Sequence, residues 1–485
     1  MTDLIAQEHL QAVGFDGGWR ALASAAPAIE PATGAELASV AMASPADIAA
    51  AAATARAAQA GWAATHYDRR AAILHEAARL AEIHRAEIAR WLVRESGSVQ
   101  AKADFEVGIT IKALIEAAAM PSQAAGQVLP AEPGRLNLAR RRPIGVVGVI
   151  SPFNFPLYLA MRAVAPALAV GNTVLLKPDP RTAICGGTVI ARLFELAGLP
   201  AGALVMMAGD GAAGAAMCED ANIGMIQFTG STAAGRRVGE TAGRHLKKVS
   251  LELGGKNAFI VLDDADLDLA VKNAVWSAYL HQGQICMAAG RILVQANIAD
   301  EFSRRLADHA RAMPVGDPAS GQVALGPMIN RHQADLAGGV VDAALKAGAT
   351  LAAGGQAEGL FFPPTVLTGV TPENPAFHEE IFAPVAVVTT FETDQDAVDL
   401  ANQGDYGLSA AIMSRSVGRA MAMGDQLRVG LLHINDSTVN DEVINPFGGV
   451  GASGNGTSIG GPANWEEFTQ WQWVTVKAEA PAYPL

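Results

Sequence analysis

Gln282-Gly283-Gln284-Ile285-Cys286-Met287-Ala288-Ala289-Gly290-Arg291 sets one cysteine among small and apolar residues, just before the apolar run Ile292-Leu293-Val294. A thiol so placed is a candidate nucleophile, and it needs a base, an electrophile stabiliser and a cofactor before it becomes an enzyme. Leu251-Glu252-Leu253-Gly254-Gly255-Lys256 puts a carboxylate at the end of an apolar run. Burial there would raise its pKa into the range of a general base, although a salt-bridged structural glutamate is the commoner meaning of such a residue alone. Pro152-Phe153-Asn154-Phe155-Pro156 fixes an amide in a turn stiffened by two prolines. A rigid amide in a dry site is an oxyanion donor, whereas an isolated asparagine in this setting is more often a turn former.

Three stretches have the chemistry of a phosphate or ribose site. Thr229-Gly230-Ser231 follows a buried run and opens a helix, aiming backbone N–H groups and a hydroxyl at an anion. Gly209-Asp210-Gly211-Ala212-Ala213-Gly214 is a literal GxGxxG, but in a glycine-rich chain it is equally a tight turn, and the Ser231 helix is the preferred phosphate site. Lys177-Pro178 ends the run Thr173 to Leu176, where open α/β sheets place ligand-binding residues; position alone also fits a surface lysine.

The elements that must hold these residues alternate. Short buried strands are expected at Ile144 to Ile150, Thr173 to Leu176, Leu204 to Met207, Met225 to Phe228 and Val249 to Leu253, with helices near Arg181 to Ala197 and Thr232 to Ala242. Such alternation implies a parallel α/β sheet. A second series follows, with strands at Phe259 to Leu262, Arg291 to Gln295, Val385 to Phe391, Leu408 to Met413 and Leu431 to Ile434, and helices near Leu267 to Leu280, Ala299 to Met313 and Arg331 to Ala347. Ahead of both, the N-terminal part reads as helical cover. One helix starts at the cap Ser44 with Pro45 first, a second runs from near Asp68 past Trp91, and a third spans about Gln100 to Met120. Pro121 to Arg142 reads as an extended arm or hairpin, and Phe468 to Val476 alternates like an edge strand, a natural place for subunits to join.

At 485 residues the chain is long enough for two or three domains, and 50% hydrophobic with 17% charged residues is the composition of a folded protein without repeats. A formal net charge of -13 argues against capture of nucleic acid or an anionic membrane, so the expected partner is small. Cys185, Cys218 and Cys286 are widely spaced, with no CxxC pair; this fits a reducing compartment and offers no metal site. The start has neither the basic nor the apolar region of a signal peptide, and the uncharged stretch Pro143 to Met161 has too many prolines for a membrane helix. The expectation is a cytoplasmic protein.

Pro152 to Pro156, Lys177-Pro178, Phe228 to Ser231, Glu252 to Lys256, Gly283 to Cys286, Glu380-Ile381-Phe382-Ala383-Pro384 and Pro446-Phe447-Gly448-Gly449 occur in the order and spacing of the aldehyde dehydrogenase superfamily, which the chain resembles over nearly its whole length. The resemblance implies an α/β fold: two parallel-sheet domains, with 1–120 and 144–252 binding a dinucleotide and 253–452 catalytic, plus a small β oligomerisation arm from 121–143 and 453–485. It implies a homodimer or homotetramer. It casts Cys286 as the nucleophile, Asn154 with the Cys286 N–H as the oxyanion hole, and Glu252 as the base that activates water. Lys177 resembles the ribose contact, Ser231 with Gly230 the pyrophosphate contact, and Glu380 with Phe382 the nicotinamide-ribose side, with Ile150 also on the cofactor.

Two departures stand out. Pro180 occupies a place that is acidic in many members, so NAD is the implied cofactor with NADP as the alternative. Ala163 and Ile459 occupy the places of a lysine–glutamate pair that relays the deacylation proton in some members, with Arg162 one position from the first, so another proton route is expected. Within the superfamily the chain is most similar to benzaldehyde dehydrogenases, through His281 to Arg291, Leu176 to Asp179, His433-Ile434-Asn435-Asp436, Gly460-Gly461-Pro462-Ala463 and Glu467 to Gln470. This implies oxidation of an aromatic aldehyde to its carboxylate, with vanillin-type or broad-range aldehydes as alternatives and a catalytically silent binding protein as a remote one. Phe153, Tyr158, Ile285 and Phe447 are expected to form a flat apolar slot for the ring. A CoA-acylating enzyme would not need Glu252.

Overall fold

The computed structural model describes residues 3–484. Val146–Ile150, Thr173–Lys177, Leu204–Met206, Ile223–Thr229 and Lys248–Glu252 form the parallel part of a seven-stranded sheet, completed by the antiparallel strands Val13–Phe15 and Trp19–Ala21. Every residue of Val146–Ile150 is buried, as expected of a strand covered by helices on both faces. Its neighbours are Thr173–Lys177 on one side and Ile223–Thr229 on the other, so the chain order reverses beside it. A crevice at the carboxyl ends of the strands belongs at such a reversal.

The second sheet also has seven strands. Thr365–Thr368, Val385–Phe391, Arg291–Gln295, Ala258–Val261, Ser409–Met413 and Leu431–Ile434 run parallel, and Thr350–Ala353 is an antiparallel edge. Period-two alternation divides its apolar residues between two cores: Ile260, Leu293 and Val387 pack on one face, Phe259, Ile292 and Val388 on the other. The chain leaves the first sheet at Glu252 and enters the second at Ala258.

Gly126–Leu129 and Arg135–Pro143 form the expected hairpin, and Thr469–Lys477 joins it antiparallel in a three-stranded sheet, in register from Thr469 opposite Pro143 to Lys477 opposite Arg135. Among the described residues no helix is long and apolar enough to cross a membrane.

Three expectations are corrected. The N-terminal part is not all helix: Ala25–Ile29 pairs with Glu36–Ala41, and Val13–Phe15 extends the first sheet. The long second helix is two, Tyr67–Ile83 and Arg85–Ser96, because ψ opens to 14° at His84. The break lets Ile73, Leu74 and Ala77 face the core from one axis and Ile88 and Leu92 from another. Gly211 begins no tight turn but the helix Gly211–Glu219, capped by Asp210, whose carboxylate accepts the N–H groups of Ala212 (2.9 Å) and Ala213 (3.3 Å).

Candidate active site

The two sheets meet at opposite ends. Ile150, Lys177, Thr229 and Glu252 close strands of the first, whereas Asn257, Cys286 and Glu380 precede strands of the second. Between these edges lies a cleft of about 1240 Å³ lined by Ile150, Phe153, Asn154, Lys177, Gly230, Ser231, Glu252, Cys286, Glu380 and Phe382. Residues up to 232 positions apart in the chain, from Ile150 to Phe382, thus share one space.

Cys286 is half-buried at the inner end. Burial, and then the carboxylates of Glu380, Glu252 and Asp441, push its thiol up to about 12, so it rests protonated at neutral pH. Its loop is anchored through the backbone, since Asn257 Nδ2 donates to the carbonyls of Cys286 and Ala288, each at 2.8 Å. The approach to it is left-handed at three successive residues: His281 (φ 50°), Gln282 (φ 57°) and Gly283 (φ 65°). A Cβ on Gly283 would overlap the Ala383 carbonyl. Strain of this kind persists only where the surroundings over-determine it, and Gln282 Nε2 supplies such bonds to the carbonyls of Gly97 (3.0 Å) and Pro327 (2.8 Å).

Asn154 is buried, and its Nδ2 donates to the Gln284 carbonyl at 2.9 Å. An amide nitrogen carries two hydrogens, so one remains for an oxyanion. Glu252 is buried with neither carboxylate oxygen hydrogen-bonded. Burial holds its pKa well above the ordinary carboxylate value; Arg162 opposes that rise, while Asp441 and Glu467 add to it. The salt-bridged structural role is thereby set aside, since neither oxygen has a partner, and a buried carboxyl of raised pKa can exchange a proton near neutral pH.

Further along the cleft, Lys177 is no surface residue: it is buried, with Nζ donating to the Gly209 carbonyl at 2.7 Å, and burial lowers its pKa. Gly230 N–H donates to the Glu252 carbonyl at 3.0 Å, tying the two strand ends together. A Cβ on Gly230 would come within 2.6 Å of the Phe228 ring. Ser231 caps the helix Thr232–Arg244 by accepting the Ala234 N–H at 3.3 Å, which leaves its hydroxyl hydrogen free to donate. Gly209, Asp210, Gly211 and Gly214 also line the cleft, so the GxGxxG stretch and the Ser231 helix face the same space. Glu380 Oε1 accepts the Gly255 N–H at 2.9 Å; burial raises its pKa to about 7. The donor set, with two helix N-termini and a lysine facing one cleft, fits an extended dinucleotide.

Of the four residues expected to hold the ring, one lines the cleft, and the other three belong to the buried cluster against which Cys286 packs. Phe153 lies in the cleft, edge-on to Phe382 at 5.9 Å with the Arg181 guanidinium 4.2 Å from its ring centre, whereas Tyr158, Ile285 and Phe447 do not line that cleft. Tyr158 donates to Asp441 Oδ2 at 3.0 Å, Arg162 is ion-paired with the same carboxylate, and the Arg162 guanidinium lies 4.5 Å from the Phe447 ring centre. The helix Pro156–Ala169 begins right after the Asn154 loop and carries Tyr158 and Arg162 on one face, one turn apart.

Arg162, Asp441 and Glu467 were not anticipated as neighbours of Glu252. Arg162 Nη2 donates to the Ile459 carbonyl at 3.0 Å, and burial raises the Glu467 pKa to about 7. The signal available was Arg162 itself, the first charge after the uncharged stretch from Pro143 to Met161. Among the described residues there is no group of His, Cys, Asp and Glu fit to hold a metal ion.

The model of the aldehyde dehydrogenase family matches residues 19–474. A vanillin dehydrogenase of Amycolatopsis is 54% identical over 473 residues, covering 97% of each chain. A benzaldehyde dehydrogenase [NAD(+)] of Pseudomonas putida is 46% identical over 473 residues, again 97% of each. In three dimensions, betaine aldehyde dehydrogenase of Staphylococcus aureus in complex with NAD+ superposes with a TM-score of 0.95 at 29% identity, over 98% of this chain and 96% of that one. Family model, relatives and fold agree with the geometry of the cleft, and the chain belongs to the aldehyde dehydrogenase family.

Proposed function

We propose that this enzyme oxidises aromatic aldehydes of the benzaldehyde and vanillin type to their carboxylates, with NAD as the oxidant. The observation that carries the reading is the convergence of Cys286, Asn154 and Glu252 at the inner end of the cleft whose outer part holds Lys177 and Ser231. The two relatives described above, named for vanillin and benzaldehyde, support the aromatic substrate.

Cys286 Sγ, once deprotonated, attacks the carbonyl carbon, and the oxygen takes up the negative charge beside Asn154 Nδ2 and the Cys286 N–H. A dinucleotide held by Lys177 and Ser231 would supply the acceptor for the hydride that leaves that carbon as the C=O bond re-forms. What stays on Cys286 is a thioester. Glu252, buried without a hydrogen-bond partner, then removes a proton from water as the water attacks the thioester; the thiolate departs and the carboxylate is released. Lys177 and Ser231 hold the ribose and pyrophosphate, Ile150 and Gly230 shape the same groove, and Glu380 with Phe382 borders the ring end. Glu467 and Asp441, both close enough to act on Glu252, offer carboxyl acceptors for the released proton in place of the lysine–glutamate relay.

Residues 1–120 and 144–252 are assigned to cofactor binding, 253–452 to catalysis, and 121–143 with 453–485 to assembly into a homodimer or homotetramer. Trp471, Trp473 and Val128, exposed on the three-stranded sheet, support the last assignment. The test is NADH formation with benzaldehyde, vanillin and a short aliphatic aldehyde, using NAD and NADP separately. An aromatic preference of at least about tenfold in kcat/KM, about 1.4 kcal/mol, is expected with NAD; preference for the aliphatic aldehyde would overturn the substrate assignment.

A further inference from the structure

Outside the cleft, the helix Gln100–Ala119 carries an ion pair shut off from solvent: Lys102 Nζ lies 2.5 Å from Glu106 Oε2, and both side chains are 0% exposed. Stripping water from two charges roughly cancels their attraction, so such a pair is poorly explained as a source of stability. Its remaining bonds suggest another role. Lys102 Nζ donates to the backbone carbonyl of Asn154 at 2.8 Å and lies 4.0 Å from the Phe155 ring centre. Glu106 Oε1 accepts the N–H groups of Leu157 (2.9 Å) and Tyr158 (3.2 Å). Those N–H groups open the helix Pro156–Ala169, whose own cap residue Phe155 supplies no side-chain acceptor.

One ion pair therefore grips the peptide of Asn154 and the helix that follows it. From the opposite side the Asn154 amide reaches the Gln284 carbonyl, two residues before Cys286, and Gln284 is held in turn by the Ile329 N–H on its Oε1 at 3.0 Å. The geometry points to Lys102 and Glu106 as positioning residues for the oxyanion amide: with its peptide and the next helix turn fixed, the Asn154 side chain keeps one hydrogen on Gln284 and the other for the substrate oxygen. This rests on the reading of Asn154 as an oxyanion donor. A shift of about 1 Å in such a group costs about 100-fold in rate, so a buried clamp behind it has a direct use.

The experiment is a double-mutant cycle on the full enzyme. Lys102→Met alone and Glu106→Gln alone each leave one charge buried without its partner, so the main variant is Lys102→Met/Glu106→Gln, which removes both charges and keeps an acceptor for Leu157 and Tyr158, with Glu106→Gln measured beside it. Each is expected to lower kcat about 10- to 100-fold, with the aldehyde KM and the NAD dissociation constant from tryptophan fluorescence within about twofold of the parent. In an Asn154→Ala background the same changes are expected to lower kcat no further, because the group they position is gone. Full kcat in a folded pair variant, or an undiminished loss in the Asn154→Ala background, would overturn the positioning role. Full kcat in Asn154→Ala itself would instead remove the oxyanion reading on which that role depends.

Discussion

The two sheets are alike in strand number and mostly parallel pairing, but they offer opposite edges to the reaction. The first contributes strand ends: Lys177 and Glu252 close buried strands, and their positions are set by the pairing of those strands, with the Gly230 N–H tied to the Glu252 carbonyl. The second contributes the loops that precede its strands, where Cys286 sits behind a left-handed stretch and Glu380 hangs on a single backbone N–H. A strand end places a side chain through regular pairing; a loop needs bespoke contacts to do the same. The proposed base and cofactor lysine thus sit on the regular edge, and the proposed nucleophile on the edge held by special bonds.

The comparison can be broken most severely at the loop. Gly283→Ala would force a left-handed alanine whose Cβ overlaps the Ala383 carbonyl, and a loss of about 3 kcal/mol with a lower melting temperature by calorimetry is expected. An unchanged melting temperature would mean that the loop is not over-determined.

A smaller effect sharpens the regular edge. In its proposed role as a base Glu252 must be ionised, and burial raises its pKa, so kcat is expected to rise with pH through that pKa. Arg162 is the charge that opposes the rise. Arg162→Gln should therefore move the rising limb of the kcat–pH profile to higher pH, and Asp441→Asn, which removes a negative charge that adds to the rise, should move it to lower pH. Coincident profiles for both variants would exclude Arg162 and Asp441 as neighbours that tune the base.

The smallest effect lies at the outer end of the cleft. Asp210→Ala removes the cap of Gly211–Glu219 and is expected to cost about 1 kcal/mol in a thermal melt. It should leave the Glu252 pH profile in place.

Much of this was readable in the sequence for a physical reason. Strands buried on both faces carry continuous apolar runs, so Val146–Ile150 and Ile292 to Val294 announce themselves, and the polar residue that ends or precedes such a run is conspicuous. Glu252, Lys177, Asn154 and Cys286 all stand out in this way. Ala25–Ile29 did not, because Ala-Ala-Pro-Ala-Ile has little strand propensity and is made a strand by pairing with Glu36–Ala41. The break at His84 leaves helical periodicity on both sides and so hides from pattern reading. The charged surroundings of the site were least legible. Arg162 meets Asp441 across 279 positions, and Lys102 meets Asn154 across 52, separations that no local pattern encodes.

The most direct test of the division between the two edges is rapid-mixing NADH formation by Glu252→Gln with benzaldehyde and NAD. With Cys286 doing the acylation and Glu252 the deacylation, the variant should release a burst of about one NADH per active site and then nearly stop, with the acyl group retained on Cys286 in the intact-protein mass. A variant that turns over at the parent rate, or one that gives no burst at all with Cys286 intact, would contradict the assignment of hydrolysis to the first sheet and thioester formation to the second.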